Sequence, residues 1–414
     1  MRASREARDI SLREMERRSG INSGYLSQLE RNEIAQPTPS VLSRIAEPYG
    51  EPLEVLMEWA GYISADPKGI SPNRKRALNF IPDDINDQEL KALRAVLQAL
   101  RGSDTSANSL LKKPHRYDLE LLGDEKRTVR ATALALLREM DADRSSEPVD
   151  LDQAMVVAEL VKAGEIELDL EEKRRLREHF GHLVDWALKN LQGMVNLDSR
   201  EVFVQAGMHE KRRRFVLAHE IGHAALEDHR IIFAYLDDYK RLNPEYADRL
   251  ESQANQFSIE LLAKGDRLRR EFDGSRPSMA NLKQVTDRFQ ISRQAGGRRI
   301  AEESEQDCAV AIAWRTDSGR GPLYLAGYKV WTSASFERRY RWRALGHPAE
   351  EIKAALASIA NTGVAEPFIS GDTAGSQTVI GIEGLDTHFA VLAMLVPERK
   401  GVQIRALRPL IGAR

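Results

Sequence analysis

Hydrophobic residues recur with helical spacing through the first 63 residues, and Ser, Asn, Gly and Pro interrupt them at short intervals. This pattern predicts five short helices and no strand, because no stretch alternates apolar and polar residues. The segment 64–77 carries turn residues and charge without an apolar period, so it is predicted to be a linker. A further helix is predicted over Asp87–Arg101, and its apolar stripe requires a partner surface, for which a second subunit is a candidate.

The rest of the chain divides into a mixed region and a β-rich end. A second break at 102–109 precedes the mixed region, whose centre is the segment RRRFVLAHEIGHAALEDHR at 212–230. From Cys308 onward, short β-like runs surround one predicted helix at about Ala349–Ile359. This change of pattern predicts a separate C-terminal α/β domain.

Composition narrows the class of protein. A chain of 414 residues is expected to form two to four domains, and 42% hydrophobic with 30% charged residues excludes a mainly disordered protein. The net charge of −2 selects no class of partner. The longest apolar run, Phe389–Val396, is too short to span a membrane, so we expect a cytoplasmic protein without a membrane partner. Because Cys308 is the only cysteine, a metal site must use histidine and carboxylate ligands.

The segment HEIGH has the spacing of a metal site. His219 and His223 lie four residues apart, which places them on one face of a helix and close enough to share one metal ion. Glu220 lies beside them and can exchange a proton with water and then with a leaving amine. The structural alternative is a pair of ordinary core or surface histidines.

A catalytic zinc site needs a third protein ligand and an open position. Glu227 is the nearest carboxylate on the same face, but it lies eight residues from His219, about 12 Å along the helix axis, and cannot complete the site. The next predicted helix begins with Asn243 as its N-cap and Pro244 in its first turn, and it ends near Gly265.

This next helix offers better ligands. Glu251 adjoins its apolar stripe and is the preferred third ligand, while Glu245 and Glu260 are the alternatives. Asn255 lies one turn beyond Glu251 on the same side, and its carbonyl can orient a zinc-bound histidine. The alternative for Glu251 is a solvated helix charge.

The runs RRRFVLAHEIGHAALEDH and ESQANQFSIELL resemble the ImmA/IrrE metallopeptidase family over roughly residues 150–305. The resemblance implies one zinc ion per chain, held by His219, His223 and Glu251, with Glu220 as the catalytic residue. It implies a zincin-like fold and a zinc-dependent metalloendopeptidase. It also implies that an edge strand pairs with the substrate backbone, a role that Glu201–Gln205 is expected to take. The candidates for stabilising the oxyanion are Tyr235, Tyr239 and His229.

The N-terminal module has capping and turn residues at the spacing of a helix-turn-helix. A helix starts at Ser11, a turn follows at Gly20, and a second helix is capped by Asn22 or Ser23. The segment LSQLERN resembles the recognition helix of the XRE (Cro/C1-type) repressor family. That resemblance implies two sets of contacts to double-stranded DNA: Ser23, Tyr25 and Gln28 in the major groove, and Ser11, Arg13 and Arg31 at phosphates.

The charge of this module modifies the DNA-binding hypothesis. Residues 1–63 hold eight arginines and ten acidic residues, a net charge of −2, whereas most DNA-binding modules are basic. However, the first 31 residues hold seven arginines and five acidic residues, a net charge of +2. We therefore expect specific, salt-sensitive DNA binding by a homodimer. The alternative is pairing of this module with another repressor of its own kind.

One stretch of the C-terminal region interleaves aromatic residues and arginines. This pattern allows a surface for single-stranded DNA, which could act as a trigger, because aromatic rings stack on bases and arginines hold the backbone. The alternative is an amphipathic helix with its aromatic residues in the core. The residues concerned are Trp331, Phe336, Tyr340 and Trp342, with Arg338, Arg339, Arg341 and Arg343.

Together these patterns predict a multidomain protein, mainly α with α+β. We expect an XRE-type helix-turn-helix domain at 1–66, a linker with one helix at 67–115, an ImmA/IrrE-like zincin domain at 116–305, and a sensor-like α/β domain at 306–414 with a GAF-like fold as a candidate. The resemblances imply a DNA-binding transcriptional regulator that cleaves a repressor, either a partner or its own chain, in stress response or phage and mobile-element defence. The alternative is a non-proteolytic XRE-family transcription factor with a structural or sensory metal site.

Overall fold

The computed structural model describes most of the chain. The described residues are 1–63 without 35, 121–166 without 144 and 146, 193–315 without 198, 199 and 236–243, and 325–398 without 388 and 389. The predicted linker and the helix Asp87–Arg101 lie outside them. Contacts divide the chain into two compact units, Met1–Asp141 with Asp150–Glu260, and Ala142–Val149 with Leu261–Arg414. The boundaries of the four predicted regions stay predictions.

The N-terminal region forms the predicted five helices, and local capping explains their bounds. The Ser11 side chain accepts a hydrogen bond from the Glu14 backbone N–H and begins the second helix, which ends where Gly20 adopts a φ of 65°. Asn22 caps the third helix by accepting from the Gly24 backbone N–H at 2.8 Å. The five helices are α1 (Arg2–Glu6), α2 (Leu12–Ser19), α3 (Ser23–Glu30), α4 (Pro39–Tyr49) and α5 (Leu53–Trp59).

The first unit also contains the helices and strands around the HEIGH segment. The Glu251 helix has 19 residues, the first helix of this region has 17, and the HEIGH helix has 16. These elements are α6 (Gly123–Glu139), α7 (Leu151–Val157), β1 (Val161–Ile166), β2 (Gly193–Asn196), β3 (Glu201–Gln205), α8 (Glu210–Ala225), α9 (Glu227–Tyr235) and α10 (Pro244–Leu262).

The core of the five N-terminal helices continues into two of these elements. Ile232 of α9 and Tyr246 and Leu250 of α10 are buried in the same hydrophobic cluster as the helix-turn-helix core. The ring of Tyr62, just after α5, meets the Tyr246 ring edge to face, with centroids 4.3 Å apart. The N-terminal helices and the helices that carry His229 and Glu251 are therefore packed as one body.

The three-stranded sheet of the first unit has the order β1-β3-β2. Strand β3 pairs in parallel with β1 and antiparallel with β2. The expectation that Glu201–Gln205 is an edge strand is wrong, because Val202, Phe203 and Val204 are all buried and their strand is paired on both sides. Among the described residues, β2 forms one edge of this sheet, and it packs against α8.

The second unit contains a five-stranded antiparallel sheet in the order β5-β4-β8-β7-β6. The predicted helix near Ala349–Ile359 is present as part of the last helix, which packs on β7 and β8. Of the described helices in the whole chain, none is long and apolar enough to cross a membrane. The elements of this unit are α11 (Arg267–Asp273), α12 (Met279–Arg288), α13 (Arg293–Glu303), β4 (Ala309–Arg315), β5 (Leu325–Thr332), α14 (Ala334–Tyr340), α15 (Trp342–Leu345), α16 (Ala349–Thr362), β6 (Phe368–Gly371), β7 (Gln377–Asp386) and β8 (Ala390–Pro397).

The aromatic residues of the predicted single-stranded DNA surface lie mostly in the core of this sheet. Phe336, Tyr340 and Trp342 are at most 4% exposed and pack with α16 and the strands. Trp331 is partly buried, and the Arg298 guanidinium lies 5.7 Å from the centre of its ring. The single-stranded DNA prediction is therefore corrected, because buried rings cannot stack on bases.

Candidate metal centre

Helix α8 presents both histidines of the HEIGH segment from one packed face. The His209 side chain accepts a hydrogen bond from the Lys211 backbone N–H at 3.3 Å and caps the start of the helix. Val216, Ile221 and their neighbours are buried, which fixes the rotation of the helix. The Nε2 atoms of His219 and His223 face each other at 3.0 Å, as two side chains one turn apart can.

Helix α10 brings a carboxylate to the two histidines. Glu251 Oε2 lies 3.2 Å from His219 Nε2, and its Oε1 lies 3.7 Å from His223 Nε2. The three residues offer ligand atoms that all lie within 4.8 Å of one another. Two imidazole nitrogens and one carboxylate oxygen suit a catalytic zinc ion, which uses three protein ligands and keeps one position open.

Electrostatics favour the ligand forms of two of these residues. Burial raises the pKa of Glu251, but the hydrogen bond and charges of the histidines outweigh it and hold the pKa at about 2. Burial lowers the pKa of His223 well below its usual value. Glu251 is therefore ionised and His223 neutral at neutral pH, as metal ligands must be.

The alternative third ligand whose side chain is described, Glu260, lies outside this cluster. Glu260 is buried nine residues further along α10, where it accepts a hydrogen bond from Gln256 and lies 3.9 Å from Arg130. The side chain of Glu245 lies outside the described residues. Glu227 begins α9 and is exposed. Among the described side chains of Glu227, Glu251 and Glu260, that of Glu251 lies with the histidines.

Asn255 lies where it can orient a ligand. Its side-chain oxygen is 3.1 Å from His219 Nδ1, the ring nitrogen that faces away from His223. An amide oxygen only accepts, so His219 Nδ1 carries a proton. Burial lowers the pKa of His219, but the hydrogen bond and charge of Glu251 outweigh it and raise the pKa to about 9. A metal ion must therefore displace the proton that His219 Nε2 shares with Glu251.

Glu220 is buried beside the cluster but does not belong to it. Burial is the largest effect on this carboxyl and raises its pKa to about 7, against a lowering by the backbone N–H of Val195 in β2. Gly193 lets this strand approach, because a Cβ atom at this position would lie 2.8 Å from Glu220 Oε1 and clash with Val216. Sequence reasoning did not find Gly193 or Val195, since a lone glycine before a short strand gives no chemical signal.

Two stretches of the chain match family models. Residues 166–301 match the IrrE N-terminal-like domain of the M78 peptidase family, and residues 1–56 match a helix-turn-helix domain. A stretch similar to a helix-turn-helix domain is thus followed by a stretch similar to an IrrE N-terminal-like domain. The second of these contains the whole cluster of His219, Glu220, His223 and Glu251.

Similar proteins are known in Mycobacterium tuberculosis. Uncharacterized HTH-type transcriptional regulators from two strains are 40% identical to this chain over 63 residues. The alignment covers 15% of this chain and 44% of each relative, so this chain spans less than half of their length. A solved Mycobacterium tuberculosis transcriptional regulator aligns at 11% identity with a TM-score of 0.38, covering 66% of this chain and 78% of that chain.

In the IrrE N-terminal-like domain, His229 does not lie where an oxyanion donor must. The residue is completely buried, with Nδ1 2.9 Å from His223 Nδ1 and Nε2 3.0 Å from the Gln253 side-chain oxygen. Burial lowers the pKa of His229 to about 4. The side chains of the other two candidates, Tyr235 and Tyr239, lie outside the described residues.

In the helix-turn-helix domain, two of the predicted DNA contacts, Arg13 and Gln28, are exposed. Ser11 is also exposed but is engaged as the cap of α2, and Ser23, at the start of α3, is partly buried. Tyr25 is partly buried and packs against the hydrophobic core. Arg31 is exposed and pairs with its neighbour Glu33 at 2.7 Å, a pair that solvent screens.

Proposed function

We propose that the chain is a transcriptional regulator that binds double-stranded DNA and cleaves a repressor protein with a zinc-dependent endopeptidase site. The substrate is a partner repressor or the chain's own linker, and cleavage relieves repression in stress response or mobile-element defence. The peptidase proposal rests on the different positions of the possible metal ligands and of Glu220. Three residues converge on one point, and Glu220 is buried beside them without joining.

The roles of the residues follow from this geometry. His219, His223 and Glu251 would hold one zinc ion per chain, which supplies Lewis-acid chemistry toward a peptide carbonyl when bound. Glu220, with its pKa raised to about 7, can take a proton from the attacking water and pass it to the leaving amine near neutral pH. A site that only stabilises the fold needs no such carboxylate.

The substrate backbone is proposed to pair with β2 and not with β3. Strand β2 lies at one edge of the sheet within the described residues, and Val195 donates its backbone N–H to Glu220. An extended peptide added beyond β2 would gain main-chain hydrogen bonds close to the metal ligands. This placement gives affinity with few demands on substrate side chains.

The peptidase proposal is tested by co-expressing the chain with a candidate repressor encoded nearby and following cleavage by mass spectrometry. We expect Glu220→Gln to abolish cleavage while the zinc content stays at one ion per chain. Glu227→Gln is the matched control, because Glu227 is an exposed glutamate seven residues further along the chain. Equal cleavage by the wild type and Glu220→Gln would remove the proposal.

The same experiment separates the alternative function. A non-proteolytic transcription factor with a sensory metal site would bind zinc through the same three residues but leave the repressor intact. Its DNA binding would then change with zinc in both the wild type and Glu220→Gln. The buried, separate position of Glu220 favours the peptidase.

DNA binding is tested with the helix-turn-helix residues that are exposed. Gln28→Ala is expected to relax sequence preference, because Gln28 is proposed to contact a base, whereas Arg13→Ala should weaken binding to all sequences equally. Binding as a homodimer predicts a palindromic site, which footprinting on the chain's own promoter would show. An absence of binding at low salt would count against this part of the proposal.

A further inference from the structure

Behind the ligand His223, side chains from three helices form a line of hydrogen bonds. His223 Nδ1 lies 2.9 Å from His229 Nδ1, and His229 Nε2 lies 3.0 Å from the Gln253 side-chain oxygen. The Gln253 amide nitrogen donates to a Glu125 carboxylate oxygen at 3.1 Å. We propose that His229, Gln253 and Glu125 are positioning residues that fix the tautomer and ring orientation of His223. This inference rests on the proposed function in taking His223 as a metal ligand.

The Glu125 carboxylate at the end of the line sets the direction of every hydrogen bond in it. The Glu125 carboxylate only accepts, so the amide nitrogen of Gln253 must face it, and the amide oxygen must face His229. That oxygen accepts the proton of His229 Nε2. In the neutral ring, His229 Nδ1 is then an acceptor, and the proton between the two histidines belongs to His223 Nδ1. The remaining nitrogen of His223, Nε2, keeps its lone pair on the side of His219 and Glu251.

Burial supports the neutral form of His229 on which this order depends. His229 is 0% exposed, and Gln253 is 8% exposed, so neither side chain can exchange its partner for water without a local opening. A second proton on His229 would point at the Nδ1 proton of His223 and break the line. The arrangement therefore has one consistent set of donors and acceptors.

Glu125 also fixes the rotation of α10. Its carboxylate oxygen accepts from Arg249 as well as from Gln253, both at 3.1 Å, and these residues lie one turn apart on α10. The same helix carries the ligand Glu251 and the acceptor Asn255, which orients His219. One anchor on α6 thus holds the helix that supplies the ligand Glu251, the acceptor for His219 and the acceptor for His229.

The tautomers can be measured without metal or substrate. Long-range proton–nitrogen NMR spectra of the full chain with labelled histidines should show His229 protonated at Nε2 and His223 protonated at Nδ1. Assignment uses single substitutions among the nine histidines. The opposite tautomer at either ring would overturn the inference, whether or not the protein binds zinc.

Zinc affinity gives the second readout, measured on the full chain by competition with a chelator. Gln253→Leu removes the acceptor at similar size and should weaken zinc binding about 10- to 100-fold. Ser258→Ala is the matched control, because Ser258 is a buried residue on the same helix whose hydroxyl donates only to the Ala254 carbonyl among the hydrogen bonds described. Equal affinity in the wild type and Gln253→Leu would overturn the inference. A wild type that binds no zinc would instead contradict the proposed function, and the tautomers alone would then decide the inference.

Exchanging the carboxylate of Glu125 and the amide of Gln253 distinguishes a positioning role from a general effect on stability. Gln253→Glu alone places two carboxylates against each other and should weaken zinc binding. The double variant Glu125→Gln/Gln253→Glu restores a donor facing a carboxylate and again offers His229 an acceptor, so zinc affinity should recover. Loss of affinity that is additive in the double variant would overturn the proposed line of hydrogen bonds.

Discussion

At the scale of single residues, the close approach of strand β2 to helix α8 determines the environment of Glu220. Gly193 has no side chain, so β2 can bring the Val195 backbone N–H to this buried carboxylate. The carboxylate is thereby held apart from the three residues that converge on the metal position. A larger residue at Gly193 must move either Val216 or Glu220 itself.

We predict that Gly193→Ala lowers the stability by about 1 to 3 kcal/mol, because the new methyl group overpacks the space between β2 and α8. It should also reduce the rate of cleavage while zinc binding is retained, since Glu220 is displaced and the ligands are not. Thermal unfolding, zinc titration and cleavage assays measure the three effects. Gly123→Ala serves as the control, because its Cβ atom would meet only an ordinary contact at 3.6 Å from Arg127. An unchanged cleavage rate in Gly193→Ala would contradict this account.

A second residue-scale prediction concerns the buried ion pair of the helix-turn-helix domain. Glu30 accepts from Arg5 at 2.7 and 2.8 Å and from the Tyr49 hydroxyl at 2.7 Å. Burial raises the pKa of Glu30, but these hydrogen bonds outweigh it and hold the pKa below the usual 4.5. A lowered pKa means that the pair stabilises the fold above about pH 4.5, and that this contribution is lost as the pH falls through the lowered value.

Glu30→Gln should therefore reduce the free energy of unfolding by about 2 kcal/mol at neutral pH and remove this part of its acid dependence. Urea unfolding at a series of pH values measures both. Glu33→Gln, at an exposed pair with Arg31, is the control and should have no measurable effect. A Glu30→Gln variant that keeps the acid dependence of the wild type would show that other groups cause it.

At the scale of elements, the site depends on contacts between helices that are far apart in the chain. Helix α10 carries Glu251 and Asn255, and the ring of its Phe257 packs on Gly222 of α8. Helix α9 is joined to the helix-turn-helix domain by a hydrogen bond. The Asp228 carboxylate accepts a hydrogen bond from the Ser40 backbone N–H at 2.9 Å, at the start of α4.

We predict that Asp228→Ala lowers the free energy of unfolding by about 1 kcal/mol, because one free N–H at the start of α4 loses its acceptor. Asp228→Asn keeps an acceptor oxygen and should retain most of the stability. Hydrogen exchange at the Ser40 amide provides the local measurement, and it should speed up in the alanine variant. Equal losses in both variants would mean that the negative charge, and not the hydrogen bond, stabilises the helix.

At the scale of the whole molecule, the shared core of the first unit links the two matched domains. Ile232, Tyr246 and Leu250 belong to one buried cluster with the residues of α2 to α5. Leu250 adjoins the ligand Glu251 in sequence, so a change in α10 reaches both the core and the metal position. Binding at the site should therefore stabilise the N-terminal helices as well.

We predict that zinc slows hydrogen exchange of the buried amides of α4 and α5 together with those of α8 and α10. At a zinc concentration one hundred times the dissociation constant, the stabilisation should be about 2.7 kcal/mol for all of them. His219→Ala lacks a ligand and serves as the control, in which zinc should change nothing. Protection confined to α8 and α10 would show that the helix-turn-helix domain unfolds independently.

Local signals in the sequence were sufficient to predict the N-terminal helices and the two histidines of the candidate metal centre. The five N-terminal helices and the two family resemblances are confirmed, because capping residues, turn glycines and the HEIGH spacing act over a few residues. The spacing of His219 and His223 already placed them on one helix face. Helix periodicity and the resemblance favoured Glu251 over Glu245 and Glu260, and the structure brings Glu251 to the histidines.

Only the tertiary structure decided which distant elements meet. The sequence showed that Glu201–Gln205 is a strand, but its place in the centre of the sheet depends on pairing with two other strands. It showed aromatic residues at Phe336, Tyr340 and Trp342 without showing which way they face, and burial against α16 settled that. Glu125 lies 128 residues from Gln253, so no local pattern joins them. Spacing along one helix is fixed by backbone geometry, whereas contacts between helices depend on how the whole core packs.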